Sequence, residues 1–230
     1  MKKILLQLIF VLLSVFTLTS CFELREEVYI KKDGSGTYSL TVDLSGRKQE
    51  IAVTTSLTDS TNEEKNFVSN IESVIQKSSE SFSEIGGITH VEYTTDYENY
   101  LTGFSFDFDN VESLTAALNQ LNTEPAPSKP AFEFGKRKFE RNNTHYLQPL
   151  LDKAKERQKM PEDEATKRFQ DYVFESANYV FIVRTEGKIK KYSNKKATYS
   201  SDDKNEIVLN YSFSELLSGR ANLDNKMKIK

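Results

Sequence analysis

A single cysteine, Cys21, closes an apolar run at the N-terminus, and it limits both where the chain folds and what can hold it together. Met1-Lys2-Lys3 is a short cationic start. Ile4 to Phe16 is apolar except for Gln7 and Ser14, and the chain turns polar soon after Cys21. A charged start, an apolar stretch and a small-residue cleavage site are the layout of a secretory signal. The stretch is about thirteen residues, short of the ~20 that a helix needs to cross a bilayer. The expectation is a signal peptide over residues 1–20 and an exported body of about 210 residues, enough for one large domain or two small ones. A lone cysteine in an exported body cannot form an internal disulfide. The core must therefore be held by burial, and 15 Phe and 11 Tyr, with no Trp, supply much of its apolar surface.

Loss of Lys2 and Lys3 with the signal moves the formal net charge from −3 to about −5. A mildly acidic surface does not suggest nucleic-acid binding.

Val28 and Ile30 begin an alternating strand. Asp33-Gly34-Ser35-Gly36 is a turn, and Tyr38, Leu40, Val42 and Leu44 lie on one face of the returning strand. Arg47 to Thr58 fits extended structure or helix. Ser60 or Thr61 opens a helix with a capping box, carried on by Phe67, Ile71, Val74, Ile75, Phe82 and Ile85 and stopped at Gly86-Gly87. Two strands follow, from Ile88 to Tyr97 and from Tyr100 to Phe108. The second bears the stripe Phe104, Phe106 and Phe108, which fits the core face of a sheet and, less well, a lipid pocket. Asp109 or Asn110 caps a helix with Val111, Leu114, Ala117, Leu118 and Leu121 on its apolar face.

Three prolines in residues 123–130 mark a loop. Phe132, Phe134 and Phe139 suggest one strand, and Leu147, Leu150, Leu151 and Ala154 an amphipathic helix that Met160-Pro161 ends. Pro161 to Glu164 looks like a fresh helix start. This charged segment fits a solvated helical hairpin or, as an alternative, a cationic face for lipid headgroups or a glycan. Tyr179 to Arg184 is apolar on both faces and so reads as a central strand. Lys188 to Tyr192 and Lys196 to Ser200 are polar and read as edges, and Ile207, Leu209, Tyr211 and Phe213 alternate. Ser214 to Leu217 is a helical turn, and the tail through Lys226, Lys228 and Lys230 reads as frayed.

Grouped hairpins and helices predict an α+β fold: antiparallel sheets built from hairpins, with amphipathic helices packed on one face. The expected organisation is a signal peptide (1–20), a lipidated tether (21–27), an N-terminal α+β region (28–122), a Pro-rich loop (123–130), a charged helical segment (131–175) and a C-terminal β-rich region (176–230) continuous with the N-terminal sheet.

Leu18-Thr19-Ser20-Cys21 resembles the bacterial lipobox: an aliphatic residue, two small residues and a cysteine. The resemblance implies cleavage before Cys21 and lipidation of its thiol and new amine. Several acyl chains are then expected, because a single chain holds a protein to a bilayer only marginally. A second resemblance, to LppM-like bacterial lipoproteins, rests on Ala177 to Val183, Gly187-Lys188-Ile189 and Ser200 to Leu209, together with the lipobox and the Asp-Gly-Ser-Gly turn. It implies a lipid-anchored envelope domain with contact to lipid or glycolipid, and it carries no functional residue beyond Cys21. Phe22 stands where some lipoproteins have an inner-membrane retention aspartate, so the outer membrane is favoured over the inner.

No catalytic chemistry emerges. His90 and His145 are far apart in sequence, no ligand cluster has zinc spacing, and no nucleophile elbow, phosphate loop or dinucleotide fingerprint occurs. The expectation is a non-enzymatic envelope protein without cofactor, metal or catalytic residues. It would be attached to the membrane through Cys21, with an envelope protein, a lipid or a glycan as candidate partner. The alternative is a carrier or sensor of a hydrophobic ligand.

Overall fold

The computed structural model describes residues 22–47, 76, 80–122, 124–159, 176–200 and 202–230. Cys21 and the signal segment, residues 48–58, most of the helix expected from Ser60 and the helix start expected at Pro161 lie outside the described residues.

The chain enters directly into a strand. β1 (Phe22–Ile30) alternates strictly, with Phe22, Leu24, Val28 and Ile30 buried on one face. Residues 22–27, expected as a tether, are therefore the first two-thirds of this strand. The apolar period already begins at Phe22, and strands on both sides supply its hydrogen bonds. The expected turn follows. Gly34 takes φ +90°, and Asp33 accepts from the Ser35 N–H at 3.0 Å. β2 (Gly36–Asp43) then returns antiparallel to β1 in continuous register, from Ile30↔Gly36 to Glu23↔Asp43.

β3 (Ile88–Asp96) and β4 (Leu101–Phe108) form the second hairpin, and β4 adds to β2. α1 (Val111–Asn119) starts at Asn110, whose side chain accepts from the Ser113 N–H at 2.8 Å. The Phe132–Phe139 stretch is not the single strand expected. It forms two strands, β5 (Phe132–Gly135) and β6 (Lys138–Arg141), joined by Lys136 and Arg137 at positive φ. α2 (Gln148–Lys159) follows a 3₁₀ turn at His145–Leu147.

β7 (Ala177–Thr185) is buried on both faces, as its composition predicts, and pairs parallel with β1 from Phe22↔Ala177 to Ile30↔Thr185. β8 (Ile189–Tyr192), β9 (Thr198–Tyr199) and β10 (Glu206–Ser212) come next, then α3 (Phe213–Leu217), opened by a capping box between Ser212 and Glu215. The tail expected to fray is instead β11 (Asn225–Ile229). Met227 and Ile229 face inward and the intervening lysine outward, an alternation that its high charge conceals.

The fold is thus α+β. Among the described residues, a seven-stranded sheet runs β3-β4-β2-β1-β7-β10-β9 and a four-stranded sheet runs β5-β6-β11-β8. All pairings are antiparallel except β1–β7. The C-terminal strands divide between the sheets: β7, β9 and β10 extend the large one, β8 and β11 the small one. One continuous core lies between them. Phe132 of the small sheet meets Phe181 of the large one at 6.3 Å between ring centres. The Thr115 hydroxyl of α1 donates to the Phe132 carbonyl at 3.3 Å. The other face of β1 carries the partly exposed pairs Arg25–Glu23 and Arg25–Glu27.

Candidate functional site

The anchor residue expected from sequence, Cys21, lies just outside the described residues, and its neighbour Phe22 is the first residue of β1. Phe22 is buried and meets Phe213 edge-on at 5.4 Å. Following the registers outward, Phe22 shares its end of the large sheet with Asp43, Leu101, Asp96 and Ser212. The Leu44 N–H donates to the Tyr100 carbonyl at 3.0 Å and ties the exit of β2 to the β3–β4 turn.

The two histidines occupy separate surroundings. His90 is exposed on the edge strand β3, with φ 50° at a break in the β3–β4 register, and pairs with Asp107 at 2.9 Å. His145 lies beside the Asn122 side chain and the Glu124 carbonyl. Among the described residues, neither ring meets a hydroxyl or thiol nucleophile or the other imidazole.

The Phe104, Phe106 and Phe108 side chains are all buried. Phe104 and Phe106 stack on Tyr38 and meet Phe82 at 5.1 Å, so these rings fill the space above one another. They form the core face of the sheet.

Sequence alone does not single out the densest polar cluster among the described residues. Glu26 of β1 and Arg141 of β6 are paired at 2.8 Å, both side chains fully buried. The Arg141 Nη2 group also donates to the hydroxyls of Tyr146 and Tyr179, each at 2.8 Å. Each hydroxyl in turn donates to Glu26, Tyr146 at 2.6 Å and Tyr179 in a shorter contact. The guanidinium lies 3.9 Å over the Phe181 ring, with Phe132, Tyr146 and Tyr179 a little further off. Arg141 Nε and Nη1 and the Tyr38 hydroxyl have no hydrogen-bond partner among the described residues.

Burial alone would weaken the guanidinium's hold on its proton. The Glu26 carboxylate and the two phenols outweigh that, and Arg141 is held well above the ordinary arginine value. Burial raises Tyr38, Tyr146 and Tyr179 well above the usual phenol range. Arg141 opposes the rise, and Glu26 reinforces it. Tyr146 and Tyr179 are thus neutral donors to a buried carboxylate, and the Tyr38 phenol is neutral as well. Because Glu26 and Tyr179 sit in the large sheet and Arg141 in the small one, the cluster clamps the two sheets.

A signal for this cluster does exist in the sequence. Glu26 is in phase with Leu24, Val28 and Ile30, and Arg141 with Phe139. A charge at an inward register position is a mark of internal pairing.

No protein-family model and no curated protein matches the chain. Among solved structures, the NMR structure of the folded domain of the LppM protein of Mycobacterium tuberculosis is similar. It matches 91% of this chain and 90% of that one, with a TM-score of 0.38 and 6% sequence identity. At that level the likeness assigns neither a family nor an activity.

Proposed function

We propose that this chain is a lipid-anchored protein of the bacterial cell envelope, with an ectodomain that binds or scaffolds another envelope component and performs no catalysis. The observation that carries the reading is Leu18-Thr19-Ser20-Cys21 standing directly before a core strand. In the lipobox reading, lipid is added at the one residue from which the folded body is held with no spacer. The non-enzymatic part is supported by the fate of the ionisable groups: among the described residues the tightest cluster, Glu26 with Arg141, is buried as a clamp between the two sheets. The absence of aspartate after Cys21 favours the outer membrane.

The carrier alternative draws on the phenylalanine stripe and the many tyrosines; Phe104 and Phe106 pack on each other and on Phe82, and Phe108 is buried in the same core. Scaffolding is therefore the better account.

Two measurements test the proposal. The N-terminal peptide of the purified protein should carry diacylglycerol and acyl mass on Cys21, and Cys21→Ser should move the protein out of the membrane fraction. An unmodified Cys21 peptide, or unchanged fractionation of the variant, would remove the anchor. In-cell crosslinking of the lipidated protein should capture a defined envelope partner, and turnover of a substrate by the ectodomain would overturn the non-enzymatic assignment.

A further inference from the structure

The spacing between the anchor and the fold leaves little freedom of orientation. Consecutive Cα atoms are about 3.8 Å apart, so Phe22 begins the strand within that distance of the lipidated residue. Phe22 itself is fixed by β7, where it pairs with Ala177, and by Phe213. A short flexible tether would let the body tumble; a strand does not. The end of the sheet holding Phe22 must then face the bilayer.

That end carries a second observation. Among the described residues, Tyr97 is the one large hydrophobic side chain that is exposed, at 65%. It sits in the β3–β4 turn, three strands from β1, a lateral reach of about 14 Å at ~4.8 Å per strand. The turn is closed by hydrogen bonds within it. Asp96 accepts from the Glu98 and Asn99 N–H groups, both at 3.0 Å, and the Asn99 side chain donates to Asp96 at 2.7 Å. Tyrosine is enriched at the membrane–water interface, where its ring meets lipid and its hydroxyl meets water.

We propose that this end of the large sheet, from Phe22 to the β3–β4 turn, seats directly on the bilayer, with Tyr97 in the headgroup layer. The inference rests on the lipid-anchor reading of Cys21. The carboxylates Asp43, Asp96 and Glu98 lie at the same end, so attraction to anionic lipid is not what holds the contact. Seating comes from the short link and the aromatic ring, and it should persist in neutral lipid and at high salt.

The full lipidated protein in phosphatidylcholine vesicles tests this. With Cys21 blocked by its lipid, an introduced cysteine is the sole free thiol. Glu98→Cys, next to Tyr97 on the same turn, and, at the opposite end, Lys32→Cys are each coupled to a fluorophore and exposed to spin-labelled lipid. β1 separates the two ends by about 27 Å. Quenching should be several-fold stronger at position 98 than at 32, unaltered by salt. A spacer of about ten Gly and Ser residues between Cys21 and Phe22 gives a reach of roughly 17 Å and should shrink the difference. Tyr97→Ala in the Glu98→Cys protein should weaken the quenching at position 98, and an unchanged signal would remove Tyr97 from the contact. Equal quenching at the two ends of a protein whose N-terminal peptide carries the lipid mass overturns the seating alone. A protein lacking that mass overturns the anchor and the seating together.

Discussion

Glu26→Ala should destabilise the fold far more than any other charge removal on β1. The structure sets the size of the effect. Glu26 and Arg141 are both fully buried, and the carboxylate accepts from the guanidinium and from two phenols. Without the carboxylate, Arg141 keeps its charge in the core with only the two tyrosine oxygens as acceptors. Removing one partner of such a pair costs about 3–5 kcal/mol, a large share of the ~5–15 kcal/mol that holds a typical domain folded. Glu27, one residue along on the open face, is the internal control. Its pair with Arg25 is 3.4 Å long, with both side chains partly exposed, and Glu27→Ala should cost under about 1 kcal/mol. Urea unfolding of residues 21–230 carrying Cys21→Ser, followed by circular dichroism and tyrosine fluorescence, measures both. At about 2–3 kcal/mol per molar urea, Glu26→Ala should lower the midpoint by about 1–2 M and Glu27→Ala by a few tenths at most. Replacing the whole cluster by Glu26→Leu, Arg141→Met, Tyr146→Phe and Tyr179→Phe should recover most of the loss, because no buried charge or hydroxyl of the four is then left unpaired. Equal midpoints for Glu26→Ala and Glu27→Ala would refute the clamp.

Other perturbations read different parts of the fold. The phenols of Tyr38, Tyr146 and Tyr179 are raised by burial, so the folded state keeps protons that the unfolded chain gives up above about pH 10. Stability should be intact below that pH and fall as pH rises beyond it, with these three of the 11 tyrosines ionising only as the fold opens. Smooth ionisation of every tyrosine with unchanged circular dichroism would contradict this. Glu206 is lowered by hydrogen bonds from Ser200 and from Arg184, so its contribution is present above the ordinary carboxylate range and lost on acidification through its folded value. Glu206→Gln should flatten the acid limb of the stability profile. Gly87 has φ +84°, and an added Cβ would run into the Asp109 carboxylate, so Gly87→Ala should cost about 1–3 kcal/mol in urea unfolding. Phe104→Ala should cost about 3–5 kcal/mol, since the ring is packed on Tyr38, Phe82 and Phe106.

What the sequence makes legible is local. The Asp33-Gly34-Ser35-Gly36 turn, the inward stripe of β4, the Asn110 cap and the two-faced burial of β7 each follow from residues within one element. The pairing of β1 with β7 does not, because more than a hundred residues separate them and alternation marks a face without naming a neighbour. β11 escapes notice because Lys226 and Lys228 make it look solvated, although Met227 and Ile229 keep the period of two. The Phe132–Phe139 segment is misread because its turn uses Lys136 and Arg137 at positive φ, where Gly or Asn would have announced it. The Glu26–Arg141 pair was legible by register alone. Its parity places both charges inward, and composition by itself treats them as surface.

β1 connects these levels. Eight residue pairs join it to β2 and nine to β7, so it is held on both edges along nearly its whole length. Its central residue, Glu26, reaches through the core to the second sheet. A lipid on Cys21 would thus be attached to the strand with the most ties in the described fold. Tension along that strand from the membrane would load both ladders in shear, where many hydrogen bonds must yield together, and would not peel an edge one bond at a time. An anchor on β3 or β9, the edges of the same sheet, would load a single ladder. Weakening the clamp at Glu26 should accordingly lower the resistance of the anchored protein to extraction by force more than an equal loss of stability introduced at Gly87. Pulling single molecules from a supported bilayer compares the two directly. Equal unfolding forces for Glu26→Ala and a Gly87 variant of matched stability would show that the central position of β1 has no mechanical consequence.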